Sequence, residues 1–275
     1  MAVIAFCSAK GGVGKTTMAV NVAAEIATRG TSCAIVDCDL NQHATQFGTA
    51  FIKNCPELPL FFLGKTNKNN IIDNIKACSK RASVTIVDLP AGTSELSLMA
   101  VMKSHLVVIP AQRTVLDAKD ALRTTFQISE ASDLSGRLIS SLIIWSMVSN
   151  KFETRTEKFV RNSLNNMLID AKRAISPTPM MRYDIFQAGF AYGFIPRQVA
   201  ENAGKELVLS EVQSGRKDGV TFFVPQTAPK AAENITDITD ILLSRLSDIA
   251  KGQDSYIAIN RETLDKMRVN SQEMP

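Results

Sequence analysis

Lysines, glycines and threonines are concentrated near the N-terminus, in the segment Lys10-Gly-Gly-Val-Gly-Lys-Thr-Thr17. An apolar run precedes the segment and a helical pattern follows it, so the glycines fall at a strand-to-helix turn. In such a turn the backbone N–H groups and the helix N-terminus together favour phosphate. Lys15 is suited to pair with β- and γ-phosphates, and the Thr16 hydroxyl is suited to ligate Mg²⁺. The segment predicts a site for Mg-ATP formed by Lys10, Gly11, Gly12, Val13, Gly14, Lys15, Thr16 and Thr17.

Three aspartates lie at the ends of apolar runs. Asp37 and Asp39 end the run Ile-Val-Asp-Cys-Asp, and Asp88 ends the run Ile-Val-Asp that precedes Leu-Pro-Ala-Gly92. Since ligands of open α/β sheets bind at the carboxyl ends of the strands, we expect these carboxylates beside the phosphate loop. We expect Asp88 to hold Mg²⁺ through water and Asp39 to orient the attacking water, in a segment (39–47) able to move. The alternative for each is a purely structural capping role.

Short apolar runs rich in β-branched residues alternate with longer helical patterns along the chain. This alternation is typical of parallel sheets with crossover helices. We predict an α/β fold with a mostly parallel twisted sheet and helices on both faces. The predicted strands are residues 2–8, 33–37, 58–63, 84–88, 106–109, 138–148 and 178–181. The predicted helices are residues 16–29, 70–81, 94–103, 115–131, 154–174 and 231–249.

A single ATPase domain over residues 1–250 is the simplest organisation, because no Pro/Gly linker divides the chain. The polar, turn-rich stretch at about 198–227 predicts a loop insertion, and residues 251–275 predict a polar C-terminal tail. The chain has 45% hydrophobic and 21% charged residues, typical of a globular protein, and its net charge of +4 permits contact with anionic partners. Since the N-terminus resembles a core strand and no run approaches ~20 apolar residues, we expect a cytoplasmic protein. Five cysteines without a Cys-x-x-Cys pair argue against zinc or iron–sulfur clusters.

These segments together resemble the ParA/MinD family of deviant Walker A P-loop ATPases. Residues 10–17 match the family signature K-G-G-x-G-K-[ST], in which a second lysine precedes the glycine pair. Residues 37–47 resemble the family's D-x-D-P-Q-x-x-x-T-x-W segment, and residues 88–92 resemble its D-x-P-A-G element. The resemblance covers residues 1–196 and 228–249. The family's proline, glutamine and tryptophan are replaced here by Leu40, Asn41 and Phe47.

The resemblance implies an ATPase that forms a homodimer when it binds ATP and hydrolyses ATP slowly, stimulated by a partner protein. Lys10 would reach the phosphates of the second subunit and act in catalysis with Lys15 and Asp39. The elements that respond to the nucleotide would contain Asp37, Asp39, Asp88 and Gly92. The implied cofactors are ATP and Mg²⁺.

Basic residues suggest the DNA-partition (ParA) branch of this family. Lys151, Arg155, Lys158 and Arg161 recur at helical spacing, so one helix could present them to a DNA backbone without reading bases. The alternative is a solvated helix face on which Glu153 and Glu157 offset these charges. Non-specific DNA is therefore the expected partner, with nucleoid association and with DNA, a plasmid or other cargo to partition or position.

Two other functions remain open. MinD-like positioning at a membrane would need an amphipathic C-terminal helix, and the weak periodicity and few basic residues of the tail do not favour a membrane partner. A metabolic ATP-dependent enzyme on the same fold would use residues 198–227 as a substrate site. Turnover stimulated by a small molecule and indifferent to DNA would distinguish it.

Overall fold

The structure is a computed structural model that describes residues 1–92, 94–149, 152–168, 174–210 and 219–253. A six-stranded parallel sheet lies at the centre of these residues. The strand order is β3-β2-β4-β1-β5-β6. Its register pairs Phe6 with Asp88 and Asp37 with Asp88, so three strands end at the same level. The strands are β1 Ala2–Phe6, β2 Cys33–Asp37, β3 Leu60–Leu63, β4 Val84–Asp88, β5 Leu106–Ala111 and β6 Ser140–Trp145.

Helices cover both faces of this sheet, which confirms the predicted fold class. Two apolar cores result, one containing Phe6, Met18 and Ile238 and the other containing Val87 and Leu164. In the described residues α1, α2, α7, α8 and α9 pack on the first face and α3, α4, α5 and α6 on the second. The helices are α1 Lys15–Thr28, α2 His43–Asn54, α3 Ile71–Arg81, α4 Glu95–Val101, α5 Val115–Ser135, α6 Arg155–Met167, α7 Asp184–Tyr192, α8 Pro196–Val199 and α9 Ala228–Ala250.

The predicted strand at 178–181 is wrong. Only isolated parallel bridges are formed beside β6 in the described residues, joining Ile143 to Ile175 and Val148 to Met181. The N–H groups of Ser176 and Met180 donate to β6, but the N–H of Thr178 between them donates to the Ser176 Oγ at 3.3 Å, so the ladder is interrupted. The helix predicted to continue to residue 174 ends at Met167, and residues 169–173 lie outside the described part of the chain.

Residues 198–227, expected to form a loop insertion, contain an antiparallel two-stranded hairpin. Its strands are β7 Glu206–Ser210 and β8 Gly219–Phe223, and a short 3₁₀ helix, Ala200–Asn202, precedes them. The hairpin is separate from the six-stranded sheet. Residues 211–218 lie outside the described part of the chain, as do residues 254–275, which form most of the expected tail.

Two helices that the sequence did not predict, α2 and α7, each contain a glycine, which lowers helical propensity. Gly193 ends α7 in the left-handed conformation, with φ of 68°. A Cβ at this position would lie 2.4 Å from the Ala50 Cβ and 2.6 Å from the Phe51 nitrogen. α7 can therefore approach α2 closely only with glycine at this turn.

We expect Gly193→Ala to destabilise the protein strongly, because it combines backbone strain with a clash against α2. Gly136→Ala is the matched control: Gly136 ends α5 with φ of 64°, but an added Cβ meets nothing within 4 Å. The control should lose about 1–2 kcal/mol of unfolding free energy, and Gly193→Ala about 1–3 kcal/mol more. Urea unfolding of both variants measures the difference, and equal losses would contradict the packing argument.

Candidate active site

The phosphate loop connects the central strand β1 to α1. Gly12 and Gly14 have φ values of 76° and 86°, a region that favours glycine, and α1 begins directly afterwards at Lys15. The Gly14 carbonyl accepts the first helical hydrogen bond, from the Met18 N–H at 2.9 Å. Gly11 and Gly12 are exposed, Val13 is buried, and Thr16 and Thr17 are half-buried at the start of the helix. The sequence therefore forms the strand–loop–helix arrangement that binds phosphate groups.

Lys15 is folded back over this loop. Its ammonium donates to the Ser8 Oγ at 3.3 Å, and the Ser8 hydroxyl in turn donates to the Lys10 carbonyl at 2.6 Å. The Lys15 residue is only 8% exposed. Burial lowers the pKa of Lys15, while the nearby carboxylates of Asp88 and Asp39 act in the opposite direction. A buried cation at a glycine-rich loop is suited to a polyanionic ligand.

Asp37 and Asp88 are neighbours on adjacent strands but have opposite hydrogen-bonding states. Asp37 accepts from the Thr45 N–H at 2.9 Å, from the Thr45 hydroxyl at 3.0 Å and from the Asp39 N–H at 3.1 Å. Neither carboxylate oxygen of Asp88 has a partner at hydrogen-bonding geometry in the described residues, although both atoms are buried. Asp37 therefore anchors the start of α2, and Asp88 keeps its acceptors available.

The unpartnered Asp88 carboxylate fits a divalent cation site. Thr16, the predicted second ligand, is close enough to affect the pKa of Asp88. Hard oxygen donors of this kind are those that Mg²⁺ uses at phosphate sites, usually with several waters. Burial raises the pKa of Asp88 to about 7, with Asp37 and Asp39 adding to the rise and Thr16 and Lys15 opposing it.

We expect Asp88→Asn to stabilise the chain in buffer free of magnesium and nucleotide. Because the folded-state pKa of about 7 lies above the unfolded value, the wild-type carboxyl loses stability as pH rises from about 4 to about 7. The variant lacks this loss, so its advantage over wild type should already be present at about pH 5 and should increase by about 2–3 kcal/mol by about pH 8. Thermal unfolding at both pH values tests this. Asp37→Asn is the control: it should destabilise the chain at both pH values, since Asp37 uses both oxygens as acceptors.

Asp39 lies at the start of the segment expected to move. Its Oδ1 accepts from the Asn41 N–H at 2.8 Å. Mobility over the whole of residues 39–47 is not supported, because α2 begins at His43 and Phe47 is only 1% exposed in the core. Phe47 thus occupies a core position, and Leu40, next to Asp39, is 97% exposed.

Gly92 lies beside the phosphate loop. Its φ is 92°, and its N–H donates to the Ser8 carbonyl at 3.1 Å. A movement of the segment after Asp88 would therefore displace Ser8, whose hydroxyl accepts a hydrogen bond from the Lys15 ammonium. The adjoining Thr93 lies outside the described residues.

Lys10 forms an ion pair that the sequence did not predict. Its ammonium lies 3.2 Å from both carboxylate oxygens of Asp117, in the first turn of α5. The Lys10 side chain is 45% exposed and the Asp117 side chain 1% exposed. Thr114 fixes this carboxylate by donating to its Oδ2, and accepts from the Asp117 N–H at 3.1 Å. The only available sequence signal was the Thr-x-x-Asp spacing of a helix cap.

The four residues expected to contact DNA have different surroundings. Arg155 and Lys158 are exposed on α6. Arg161 is paired with Glu153 through two hydrogen bonds of 3.0 and 3.2 Å. Lys151 lies outside the described residues. α6 also presents the exposed aromatic ring of Phe159.

Comparison with known proteins identifies the family. The profile of the VirC1 protein family matches residues 1–213. The chain is 28% identical to the protein ParA of Rhizobium radiobacter over 195 residues, 70% of this chain and 84% of that protein. It is 25% identical to the protein virC1 of the same organism over 193 residues, 68% of this chain and 80% of that protein.

Solved structures share the fold at low sequence identity. McdA from Cyanothece superposes with a TM-score of 0.65 at 14% identity, covering 88% of this chain and 99% of McdA. The cell-division protein MinD from Aquifex aeolicus gives 0.57 at 16% identity, covering 89% and 97%. Cobyrinic acid a,c-diamide synthase from Mycobacterium smegmatis, solved with an ATP analogue and magnesium, gives 0.57 at 16% identity, covering 90% and 95%. The chain belongs to the VirC1 protein family, and its similarity to ParA and the shared fold support the predicted ParA/MinD family of P-loop ATPases.

Proposed function

We propose that this chain is a nucleotide-switched ATPase that dimerises on binding ATP and partitions or positions DNA, a plasmid or other cargo. The observation that carries this proposal is the placement of Lys10. It lies in the phosphate loop, but its ammonium is directed to Asp117 and almost half of its side chain remains exposed. A cation of the loop that does not serve its own phosphate site is suited to another subunit's phosphates.

ATP binding would use the phosphate loop and the two side chains that face it. Lys15, now hydrogen-bonded to Ser8, would turn to the β- and γ-phosphates. Thr16 and Asp88 would hold Mg²⁺, Asp88 through water, and the ion would neutralise phosphate charge. The bound phosphates would replace interactions that Lys15 now makes within the loop, so its buried charge would gain a stronger partner.

Dimerisation would require Lys10 to exchange one anion for another. In this structure its partner is the single carboxylate of Asp117. In the dimer its partner would be the more highly charged triphosphate of the second subunit, which nucleotide binding alone supplies. Assembly would therefore depend on ATP, and Lys10 would stabilise charge on the γ-phosphoryl group as a finger supplied in trans does.

Hydrolysis would depend on Asp39, which is the proposed orienting group for the attacking water. We expect Asp39→Ala to bind ATP with nearly wild-type affinity but to turn it over at least about a hundredfold more slowly. The variant should remain dimeric long after wild type has returned to monomers. Size-exclusion chromatography at intervals after ATP addition measures this.

Leu40→Ala is the matched control for Asp39→Ala, because it changes the adjacent exposed residue and leaves the carboxylate in place. It should hydrolyse ATP at a rate close to that of wild type. Normal hydrolysis by Asp39→Ala would remove Asp39 from the mechanism and direct attention to Asp37.

The proposed scaffold is non-specific duplex DNA, bound by the ATP dimer through Lys151, Arg155, Lys158 and Arg161. The exposure of Arg155 and Lys158 on α6 and the similarity to ParA support this. A partner protein would stimulate hydrolysis and so release the dimer. The protein would work in the cytoplasm, at the nucleoid when ATP is bound.

The alternatives give different outcomes in one experiment, which compares ATPase activity alone, with random-sequence duplex and with anionic vesicles. Partition is supported if duplex DNA stimulates the ATPase activity, or if the protein binds duplex DNA only with ATP, and if Lys15→Ala shows neither effect. Dependence on vesicles would instead support a MinD-like role at a membrane surface. No membrane-spanning helix is found among the described residues. Indifference to both would favour a metabolic enzyme on the fold shared with the cobyrinic acid a,c-diamide synthase.

A further inference from the structure

Glu153 holds two arginines from different parts of the fold. Arg113, which follows β5, donates from Nη1 to Glu153 Oε1 at 3.0 Å. Arg161, on α6, donates from Nε to the same oxygen at 3.0 Å and from Nη2 to Oε2 at 3.2 Å. One carboxylate thus serves two guanidinium groups, and the cluster has an excess positive charge.

The two arginines lie at a cavity of about 350 Å³. Trp145, Asn165 and Ser176 also line it, so its wall contains further polar groups. Arg113 Nε and Trp145 Nε1 are buried donors that have no acceptor in the described residues. Both donors belong to side chains that line the cavity, and unsatisfied donors beside two guanidinium groups are suited to an anion.

The one acidic residue of α6 does not offset this positive charge. Glu157 is occupied by the capping box of α6, where it accepts from the Thr154 N–H and hydroxyl at 2.8 Å each. Arg155 and Lys158 add positive charge on the same helix. The N-terminus of α6, which follows Glu153 directly, favours an anion as well. Forked guanidinium groups bind tetrahedral phosphate oxygens through paired hydrogen bonds.

We propose that Arg113 and Arg161 form a phosphate-binding site that is separate from the phosphate loop and that the Glu153 carboxylate fills in this structure. A phosphate group binds by displacing the Glu153 carboxylate from both guanidinium groups. The phosphate is either a free ion or ester, or a phosphodiester of DNA. Only the second source rests on the proposed function.

The site is joined to the nucleotide site through the loop between β5 and α5. Besides Arg113, this loop contains Gln112, whose Nε2 donates to the Gly12 carbonyl at 3.3 Å. Thr114, next to Arg113, fixes the Asp117 carboxylate that holds Lys10. Occupancy of the new site therefore acts on the same loop that positions Lys10 in the monomer.

Trp145, the one tryptophan of the chain, lines the cavity and provides a direct signal. The phosphate loop is first saturated with Mg²⁺ and a non-hydrolysable ATP analogue, and inorganic phosphate is then titrated while tryptophan fluorescence is recorded. Glu153→Gln should bind phosphate about five- to tenfold more tightly than wild type, because the competing charge is removed. Arg161→Gln should lose the response, and Glu130→Gln, an exposed glutamate on α5, should behave as wild type.

A second titration with a short random-sequence duplex distinguishes the sources. Tighter binding of the duplex by Glu153→Gln than by wild type identifies DNA phosphodiesters as the ligand. A fluorescence response to inorganic phosphate with none to the duplex identifies a free phosphate ligand. That second outcome counts only against the DNA part of the proposed function. Circular dichroism melting verifies that each variant is folded. The proposal is overturned if folded Glu153→Gln binds neither probe more tightly than wild type, or if folded Arg161→Gln responds as wild type does.

Discussion

Lys15→Ala is expected to lose nucleotide binding. Lys15 is 8% exposed, and its charge lies inside the loop whose N–H groups would surround the phosphates. Its removal deletes the charge-assisted hydrogen bonds to the β- and γ-phosphates, each worth about 1.5–3 kcal/mol. Affinity should fall at least about a hundredfold. Isothermal titration calorimetry with a non-hydrolysable ATP analogue and Mg²⁺ measures the change.

The control for Lys15→Ala is Lys76→Ala, which removes an exposed lysine on α3. It should bind the analogue as wild type does. Because Lys15 is also a cation near the buried Asp88, a melting curve is needed to verify that the variant is folded. Wild-type affinity in folded Lys15→Ala would mean that the nucleotide site lies elsewhere.

Lys10→Ala is expected to separate nucleotide binding from dimerisation. Lys15 and Thr16 remain in place, so the monomer should bind the ATP analogue nearly as well as wild type. The dimer loses one trans interaction per subunit, and a C₂ dimer contains two copies. Each trans interaction contributes about 1.5–3 kcal/mol. To form it, wild type must break the Lys10–Asp117 ion pair, which is worth up to about 1 kcal/mol and is subtracted.

The ATP-dependent dimer of Lys10→Ala should therefore weaken by roughly one to four powers of ten. Sedimentation velocity of wild type and variant with the analogue, over a concentration series, gives the dissociation constants. ATP-dependent DNA binding should weaken in parallel, since it is proposed to need the dimer. Equal dimerisation of the two proteins would refute the trans role of Lys10.

The sequence predicted best what is encoded locally. β2 and β4 have the predicted bounds, because short β-branched runs are followed directly by aspartates at the sheet rim. The phosphate loop was readable for the same reason, since its residues are contiguous. α7 was not predicted, because Gly189 within it lowers its helical propensity. Gly189 is required by packing: a Cβ there would lie 2.5 Å from the Phe194 carbonyl oxygen.

Contacts between side chains far apart in the chain could not be predicted from the sequence. The contact of Lys10 with Asp117 spans 107 positions, and no periodic pattern connects them. The sequence also gave Asp37 and Asp88 the same appearance, an aspartate after an apolar run. They differ because α2 supplies Thr45 to Asp37, whereas Asp88 has no such partner in the described residues. Hydrogen-bond satisfaction depends on tertiary packing and is not visible in a motif.

The central claim, that Lys10 of one subunit serves the site of the other, is tested most directly by mixing two inactive variants. Lys10→Ala and Asp39→Ala are combined before ATP is added, and phosphate release is measured. In a mixed dimer the Lys10→Ala subunit keeps its own Asp39 and receives Lys10 from its partner. If Lys10 acts in trans, activity returns, to about a quarter of wild type at protein concentrations at which Lys10→Ala also dimerises and subunits pair at random. Persistent inactivity of the mixture, with mixed dimers shown to form, would contradict it.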